Sequence, residues 1–206
     1  MSDNEAIGIE EDNEQAEVRK QKLAKLRDGG QIVYPNDFRP SHSVADVFAK
    51  AASLSDEELH ANSVIVAVAG RIMAIRRMGK ASFFHIQDRR GRLQVYARKD
   101  KLGDDAYGLF QTFDIGDLVG VSGHLFRTKT KELTVEAASL RLLTKCLRPL
   151  PEKWHGLADV EARYRQRYVD LMVNPEVRDV FRSARASCGC SGSSLKSAIS
   201  SKSRRR

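Results

Sequence analysis

Cysteine is scarce in this 206-residue sequence, and the three present, Cys146, Cys188 and Cys190, are odd in number and not spaced as a framework. That excludes a disulfide scaffold and a four-ligand zinc site. The five histidines, His42, His60, His85, His124 and His155, show no metal-like spacing among themselves or with the cysteines, so no metal is expected. No run approaches the roughly 18 consecutive apolar residues of a membrane span, and the N-terminus has neither a basic n-region nor an apolar h-region. The expectation is a cytoplasmic protein with no membrane partner. Also missing are a glycine-rich phosphate cradle, a nucleophile elbow, a zinc-hydrolase helix and a paired-carboxylate arrangement. A binding module is the better first reading.

What the sequence does have is a core and an uneven charge. Hydrophobic residues make up 41% of the chain, enough to bury one ordinary domain or two small ones. Net charge is +8, but Asp3, Glu5, Glu10, Glu11, Asp12, Glu14 and Glu17 all precede the first base, so only 20 of the 27 acids face all 35 bases downstream. Such an excess favours a polyanionic partner, nucleic acid first and an acidic surface second.

Residues 1–13 are acidic, polar and aperiodic, and read as a disordered lead-in to a helical segment over 14–61. Its helix is expected from Glu14 to Asp28, with Val18, Leu23 and Leu26 as a thin apolar stripe. Arg19, Lys20, Lys22, Lys25 and Arg27 make the other surface basic, and Gly29-Gly30 is the stop. From 62 to 146 the pattern turns to strands. Residues 64–69 are continuously apolar and β-rich, with Gly70 as a bend. A hairpin follows over 81–88 and 92–98 around Arg89-Arg90-Gly91, then a helical stretch over 104–113. A second hairpin, 117–126 and 133–143, turns at the basic tip Arg127-Thr128-Lys129-Thr130-Lys131. The order β-β-β-α-β-β matches the OB-fold, a five-stranded Greek-key barrel that binds oligonucleotides on its strand 2–3 face. The fold class expected is therefore mostly β with flanking helices: an OB-fold barrel, an N-terminal helix and C-terminal helices. Pro149 and Pro151 mark a linker over 147–158. A helical region follows over 159–185, broken near Asn174-Pro175, with Arg163, Tyr164, Arg167, Tyr168 and Leu171 at spacings of three and four.

Alternation assigns the faces of the first hairpin. Ser82, Phe84 and Ile86 share the more apolar side and are expected inward with Leu93, Val95 and Ala97; Phe83, His85 and Gln87 fall outward with Gln94 and Tyr96. Aromatic rings there can stack on unpaired bases, and an amide can read a Watson–Crick edge. His85 supports or solvates that face rather than performing catalysis. Lys80, Lys129 and Lys131 supply sequence-independent phosphate attraction.

The segments Gly70-Arg71-Ile72-Met73, Met78-Gly79-Lys80-Ala81-Ser82-Phe83, Gln87-Asp88, Gly91-Arg92-Leu93-Gln94-Val95-Tyr96 and Leu142-Leu143-Thr144-Lys145 resemble the N-terminal half of bacterial class II lysyl-tRNA synthetases. So do residues 148–157 after the prolines and residues 161–171 beyond them, and the resemblance runs from about Val18 to Arg185. It implies a barrel that binds the anticodon stem-loop of lysine tRNA. On that resemblance Phe83 is the stacking aromatic, Gln94 the reader of the central uridine, Glu132 a reader beside the basic loop, and Arg76 an anticodon-contacting arginine; His85 joins them on the same face. The helices over 159–185 are implied to lie at a homodimer interface, with Tyr164, Arg167, Tyr168 and Leu171 as its candidates.

Motifs 2 and 3 of that class, which hold ATP and the amino acid, have no counterpart in these 206 residues. The family's ATP and Mg2+ therefore imply no cofactor in this chain, and no catalytic residue is assigned; binding of tRNA without aminoacylation is expected. The alternative is a general single-stranded nucleic-acid-binding OB-fold protein. Residues 186–206 form a Ser- and Arg-rich tail unlike the family, expected to be disordered. Codons can be chosen for them that spell a class II motif 1 in another frame, the pattern expected of a frameshifted, prematurely terminated gene. Cys188-Gly189-Cys190 in that tail is read as incidental.

Overall fold

The alternation over residues 81–98 becomes two strands of a closed barrel in the computed structural model, which describes residues 3–61, 64–151 and 159–187. Strand β1 runs Ile65–Met78, β2 Ala81–Gln87, β3 Arg92–Arg98, β4 Leu118–Arg127 and β5 Leu133–Thr144. The barrel order is β1-β2-β3-β5-β4, with β3 and β5 parallel and the other neighbours antiparallel.

β1 is longer than its apolar run suggests. Gly70, expected as a bend, lies inside the strand, and β1 continues through it, pairing with β4 over residues 65–71 and with β2 from Arg71 to Met78. A side chain at Gly70 would place its Cβ 3.1 Å from both the Gln87 carbonyl oxygen and the Ile86 Cβ. Glycine here lets β1 pass closely over the end of β2 and serve two neighbours, which closes the barrel without a free edge.

The interior is filled as alternation requires. Phe84, Ile86, Leu93, Val95 and Ala97 are fully or almost fully buried, and Ser82 is buried with its hydroxyl 3.0 Å from the Tyr107 hydroxyl. Gln87 departs from the outward set. It is buried, and its side-chain oxygen accepts a hydrogen bond from Arg92 Nε at 2.7 Å, because the β1 crossing covers the end of β2. Between β3 and β4 lie two short helices, α4 (Lys99–Leu102) and α5 (Asp104–Gln111). The second plugs the barrel: Phe110 packs its ring 5.2 Å from Phe84, 5.8 Å from Tyr107 and 5.8 Å from Phe113.

Three helices precede the barrel: α1 (Asp3–Asp28), α2 (Val44–Ala52) and α3 (Asp56–Ala61). The lead-in expected without order is helical backbone from Asp3 onward. No proline interrupts it, and Lys25 and Arg27 stand in its last turn, where cations favour the helix dipole. Gly29-Gly30 does end the helix, Gly30 adopting φ +73° while Gln31 N–H donates to the Leu26 carbonyl. The expected stripe is only partly apolar in effect: Leu23 and Leu26 are buried, Val18 is half exposed, and Arg19, assigned to the solvated surface, is buried. Arg19 Nη1 donates to the carbonyls of Ile115 and Cys146, both at 3.0 Å, so its side chain tacks α1 to the barrel rim. α2 is set by a capping box between Ser43 and Asp46, and its Val44 N–H donates to Asp88 of the β2–β3 turn at 2.9 Å.

A buried ionic cluster lies where α1 meets the chain before and after β4 and β5. Lys145 Nζ is 2.6 Å from Asp114 and 2.8 Å from Asp117, and Lys22 reaches the other Asp114 oxygen at 2.6 Å. Burial opposes the charge on Asp114, but hydrogen bonds from Lys145 and Lys22 outweigh it and hold the carboxyl below the usual aspartate range. A carboxyl whose folded pKa is depressed contributes stability that is fully present above its unfolded pKa, about 3.9, and is lost as pH falls through the folded value. The urea midpoints of wild type and Asp114→Asn should therefore differ by a constant amount from pH 7 to about 5 and converge toward pH 2. A difference that stays flat across the acid range would contradict this assignment.

The chain divides into two units, residues 1–149 and 150–206. In the second, the helical region expected from Asp159 has the expected break at Asn174 and a further one at Gln166. Helix α6 (Val160–Arg165) ends at Gln166, α7 (Arg167–Val173) ends at Asn174, and residues 175–187 are helical again. Buried Asp170 organises these turns by accepting from Arg163 Nε at 3.1 Å, Arg167 Nη1 at 2.6 Å and Asn174 Nδ2 at 2.6 Å. Burial opposes its charge, yet the Asn174 and Arg163 hydrogen bonds prevail and keep its carboxyl below the usual range. The first two residues of the expected disordered tail, Ala186 and Ser187, are helical, the Ser187 hydroxyl donating to the Ser183 carbonyl at 3.1 Å. Residues 188–206, with Cys188 and Cys190, and residues 152–158 of the expected linker, with His155, lie outside the described residues. Among the described residues no helix is long and apolar enough to cross a membrane.

Candidate nucleic-acid interface

The outer face of β2 and β3 is built by register. Phe83 pairs with Tyr96 across the ladder and His85 with Gln94, so the four side chains stand side by side on one surface. All four are partly exposed. The Phe83 and Tyr96 rings stack with centroids 4.5 Å apart at 25°, and Phe126 of β4 lies 6.1 Å from Tyr96. On the other side of Phe83, Arg76 of β1 is its ladder partner and is exposed. The result is an aromatic platform with an exposed cation at its edge, suited to a flat π surface carrying phosphate.

Beside the platform lies a polar cluster. Gln94 Nε2 donates to Glu132 Oε2 at 2.9 Å, the Thr134 hydroxyl donates to Gln94 Oε1 at 2.7 Å, and the second Glu132 oxygen is 3.2 Å from His85 Nε2. Glu132 reaches this position because the loop before β5 is tightly wound. Lys131 adopts φ +61°, its N–H donates to the Thr128 carbonyl at 2.8 Å, and Thr128 N–H donates to the Glu132 carbonyl at 3.0 Å. That turn directs Lys129 and Lys131 into solvent. Lys80, in the β1–β2 turn, is exposed as well.

The structure thus brings Phe83, His85, Gln94 and Glu132 into one patch, with Arg76 adjoining through the ladder. Tyr96 was assigned outward by alternation, but the stack it makes with Phe83 was not foreseen. Thr134 and Phe126 were missed. The alternation Leu133, Val135, Ala137 placed inward carries the signal for Thr134, since it leaves Thr134 and Glu136 on the outer side. Their closeness to Gln94 and Tyr96 depends on the parallel β3–β5 pairing, in which Gln94 faces Thr134 and Tyr96 faces Glu136.

In the second unit Tyr164 and Tyr168 are 69% and 59% exposed, large for aromatic rings and notable because Arg167 is held between other groups. Its guanidinium lies 4.7 Å from the Tyr164 ring centroid and 5.7 Å from that of Phe181 while it bonds Asp170. Leu171 is half-buried. Among the described residues no group of three or more His, Cys, Asp or Glu side chains is gathered where it could hold a metal ion.

Comparison with known proteins places the barrel among nucleic acid binding domains. Residues 66–143 match the tRNA anti-codon family, described as an OB-fold nucleic acid binding domain. The chain is 51% identical over 183 residues to the lysine–tRNA ligase of Dichelobacter nodosus, covering 88% of this chain and 36% of that protein. It is 53% identical over 169 residues to the lysine–tRNA ligase of Carboxydothermus hydrogenoformans, covering 82% and 33%, and 49% identical over 172 residues to that of Bacillus subtilis, covering 84% and 34%. The chain therefore spans about a third of the length of these relatives. Its barrel thus matches the tRNA anti-codon family of OB-fold nucleic acid binding domains, and the chain is similar to lysine–tRNA ligases over most of its own length and about a third of theirs.

Proposed function

We propose that this chain binds the anticodon stem-loop of a lysine tRNA on the outer face of β2 and β3, and that these 206 residues bind it without aminoacylating it. The observation that carries the reading is the juxtaposition of a stacked aromatic pair, Phe83 and Tyr96, with an oriented amide, Gln94, in a barrel that matches the tRNA anti-codon family. Phe83 offers a ring to an unpaired base, and Gln94 pairs with the N3–H and a carbonyl of the central uracil. Arg76 contacts the loop from the neighbouring strand. Lys80, Lys129 and Lys131 attract phosphate without regard to sequence. The attachment of lysine, with its ATP and Mg2+, is assigned to the length of the relatives that this chain does not span. Homodimer contact through Tyr164, Arg167, Tyr168 and Leu171 belongs to the same reading, supported by the exposure of the two tyrosines.

The test is a set of dissociation constants for stem-loops with U or C at the central anticodon position, at two salt concentrations. Phe83→Ala should weaken the U loop by about 1–3 kcal/mol. Gln94→Ala should mainly erase the preference for U, whereas Lys129→Ala should weaken both loops alike and make the salt dependence shallower. Equal affinity of the wild-type protein for both loops would remove anticodon reading and leave a general single-strand binder.

A further inference from the structure

An amide side chain is ambiguous as a reader. With its oxygen toward base position 3 and its nitrogen toward position 4 it accepts from uracil N3–H and donates to O4. Turned over by 180°, the same group donates to cytosine N3 and accepts from the N4 amine. Placing a glutamine on the face therefore does not by itself choose U over C. Something must hold the amide one way round.

The neighbours of Gln94 do so by their chemistry. An ionised carboxylate has no proton to donate, so Glu132 tolerates only the amide nitrogen at 2.9 Å; turning the amide over would set oxygen against oxygen. The Thr134 hydroxyl, fully buried beneath this cluster, has two acceptors for its one proton, Gln94 Oε1 at 2.7 Å and the Glu132 carbonyl at 3.2 Å, and the shorter bond supports the amide oxygen from the opposite end. Glu132 is itself fixed, since its other oxygen meets His85 Nε2 at 3.2 Å and its backbone N–H donates to the Thr128 hydroxyl at 3.1 Å. Each amide atom retains one further bonding position, a lone pair on oxygen and an N–H on nitrogen, for a base.

We infer that Glu132 and Thr134 are positioning residues that lock the Gln94 amide in the orientation that accepts uracil and rejects cytosine. The inference rests on Gln94 being the reader proposed above, and it moves Glu132 from contacting the base to deciding what Gln94 presents. A carboxylate is an unexpected neighbour for a polyanion, and its place at the centre of a binding face is explained if its task is to orient a donor.

The experiment measures the ratio of dissociation constants for the C and U stem-loops with the full chain and its Gln94→Ala, Glu132→Gln, Thr134→Val and Thr134→Ser variants, after thermal melts confirm that each is folded. The wild-type ratio should be roughly ten- to a hundredfold, the discrimination of a good bidentate contact. Glu132→Gln presents either a donor or an acceptor, so it should bring the ratio to within about twofold by tightening the C loop relative to the U loop. Thr134→Val should lower the ratio, and Thr134→Ser, which keeps the hydroxyl, should restore it. Charge removal at Glu132 alone would shift both loops equally and leave the ratio intact, and that result overturns the lock. If Gln94→Ala abolishes the preference while Glu132→Gln keeps it, the reader stands and the lock fails. If Gln94→Ala leaves the preference unchanged, the reading of the base by Gln94 fails and the lock falls with it.

Discussion

Replacing Phe110 by alanine should destabilise the barrel by about 3–5 kcal/mol, the cost of deleting a buried ring together with the cavity it leaves. Phe110 has no exposed surface and meets Phe84, Tyr107 and Phe113, so its ring is the joint between α5 and the barrel interior. Collapse is hindered on two sides. Phe84 is held in β2 by pairing with both β1 and β3, and Tyr107 is held by hydrogen bonds to Ser82 and to the Gly79 carbonyl, the latter at 2.7 Å. Against a total stability of about 5–15 kcal/mol for a domain this is a large fraction. Phe110→Leu, which keeps most of the volume, should cost less than half as much. Urea unfolding followed by tryptophan-independent circular dichroism reads both, and a loss below about 1 kcal/mol for Phe110→Ala would show that α5 does not plug the barrel. At temperatures where the variant remains folded, its preference between U and C loops should be unchanged, because the outer face is carried by the strands and not by the plug.

How much of this was legible beforehand follows the range of the interactions involved. The face assignment of β2 and β3 depends only on period-two alternation and on one short turn, both local, and the structure agrees from Ser82 to Ile86 and from Leu93 to Ala97. Gln87 breaks the pattern because the covering strand comes from residues 65–78; Gly70 marked a bend there, but not which strand end the bend would cover. Helix α1 shows the same limit in another form. Its apolar stripe was visible, but a buried arginine reads as a surface base until its acceptors are known, and the carbonyls that accept from Arg19 belong to Ile115 and Cys146. The expected helix began at Glu14, whereas helical backbone begins at Asp3, a stretch in which acidity was weighed as a sign of disorder and no apolar period marks a helix.

The candidate site divides along the same line. Phe83 and Gln94 fall outward by alternation alone, and the family resemblance points to the same two residues. Thr134 carries no signal of its own, since threonine in a strand is common and solvates readily. Its place beneath Gln94 comes from the parallel pairing of β3 with β5, a contact across 40 residues of sequence. Glu132 was marked as a reader only by the family resemblance; its direction is set by the left-handed turn at Lys131, which no local pattern shows. In the second unit, spacing placed Arg167 on a stripe of arginines and aromatics, and its partner Asp170, which also takes Arg163 and Asn174, carried no signal in that spacing.

The other large effect is expected at Lys145. Its ammonium is fully buried and bonds Asp117 at 2.8 Å, Asp114 at 2.6 Å and the Thr112 carbonyl at 3.1 Å, while Asp117 is buried with no exposed surface. Asp117 also accepts from the backbone N–H of Cys146 and of Asp114, so its carboxylate ties the end of β5 to the approach to β4. Lys145→Met keeps the length of the stem and removes the charge, leaving Asp117 buried beside an apolar group. Removing one partner of a buried pair costs about 3–5 kcal/mol, most of it the penalty of the charge left behind rather than the worth of the bond. That origin makes a second prediction. Asp117→Asn added to Lys145→Met should recover part of the loss, since a neutral amide still accepts a backbone N–H and no longer carries an unpaired charge. The double variant should then be more stable than Lys145→Met alone. Denaturant unfolding of the three variants measures the cycle. If the two losses simply add, Lys145 and Asp117 are not coupled, and the cluster at the foot of α1 acts through packing rather than charge.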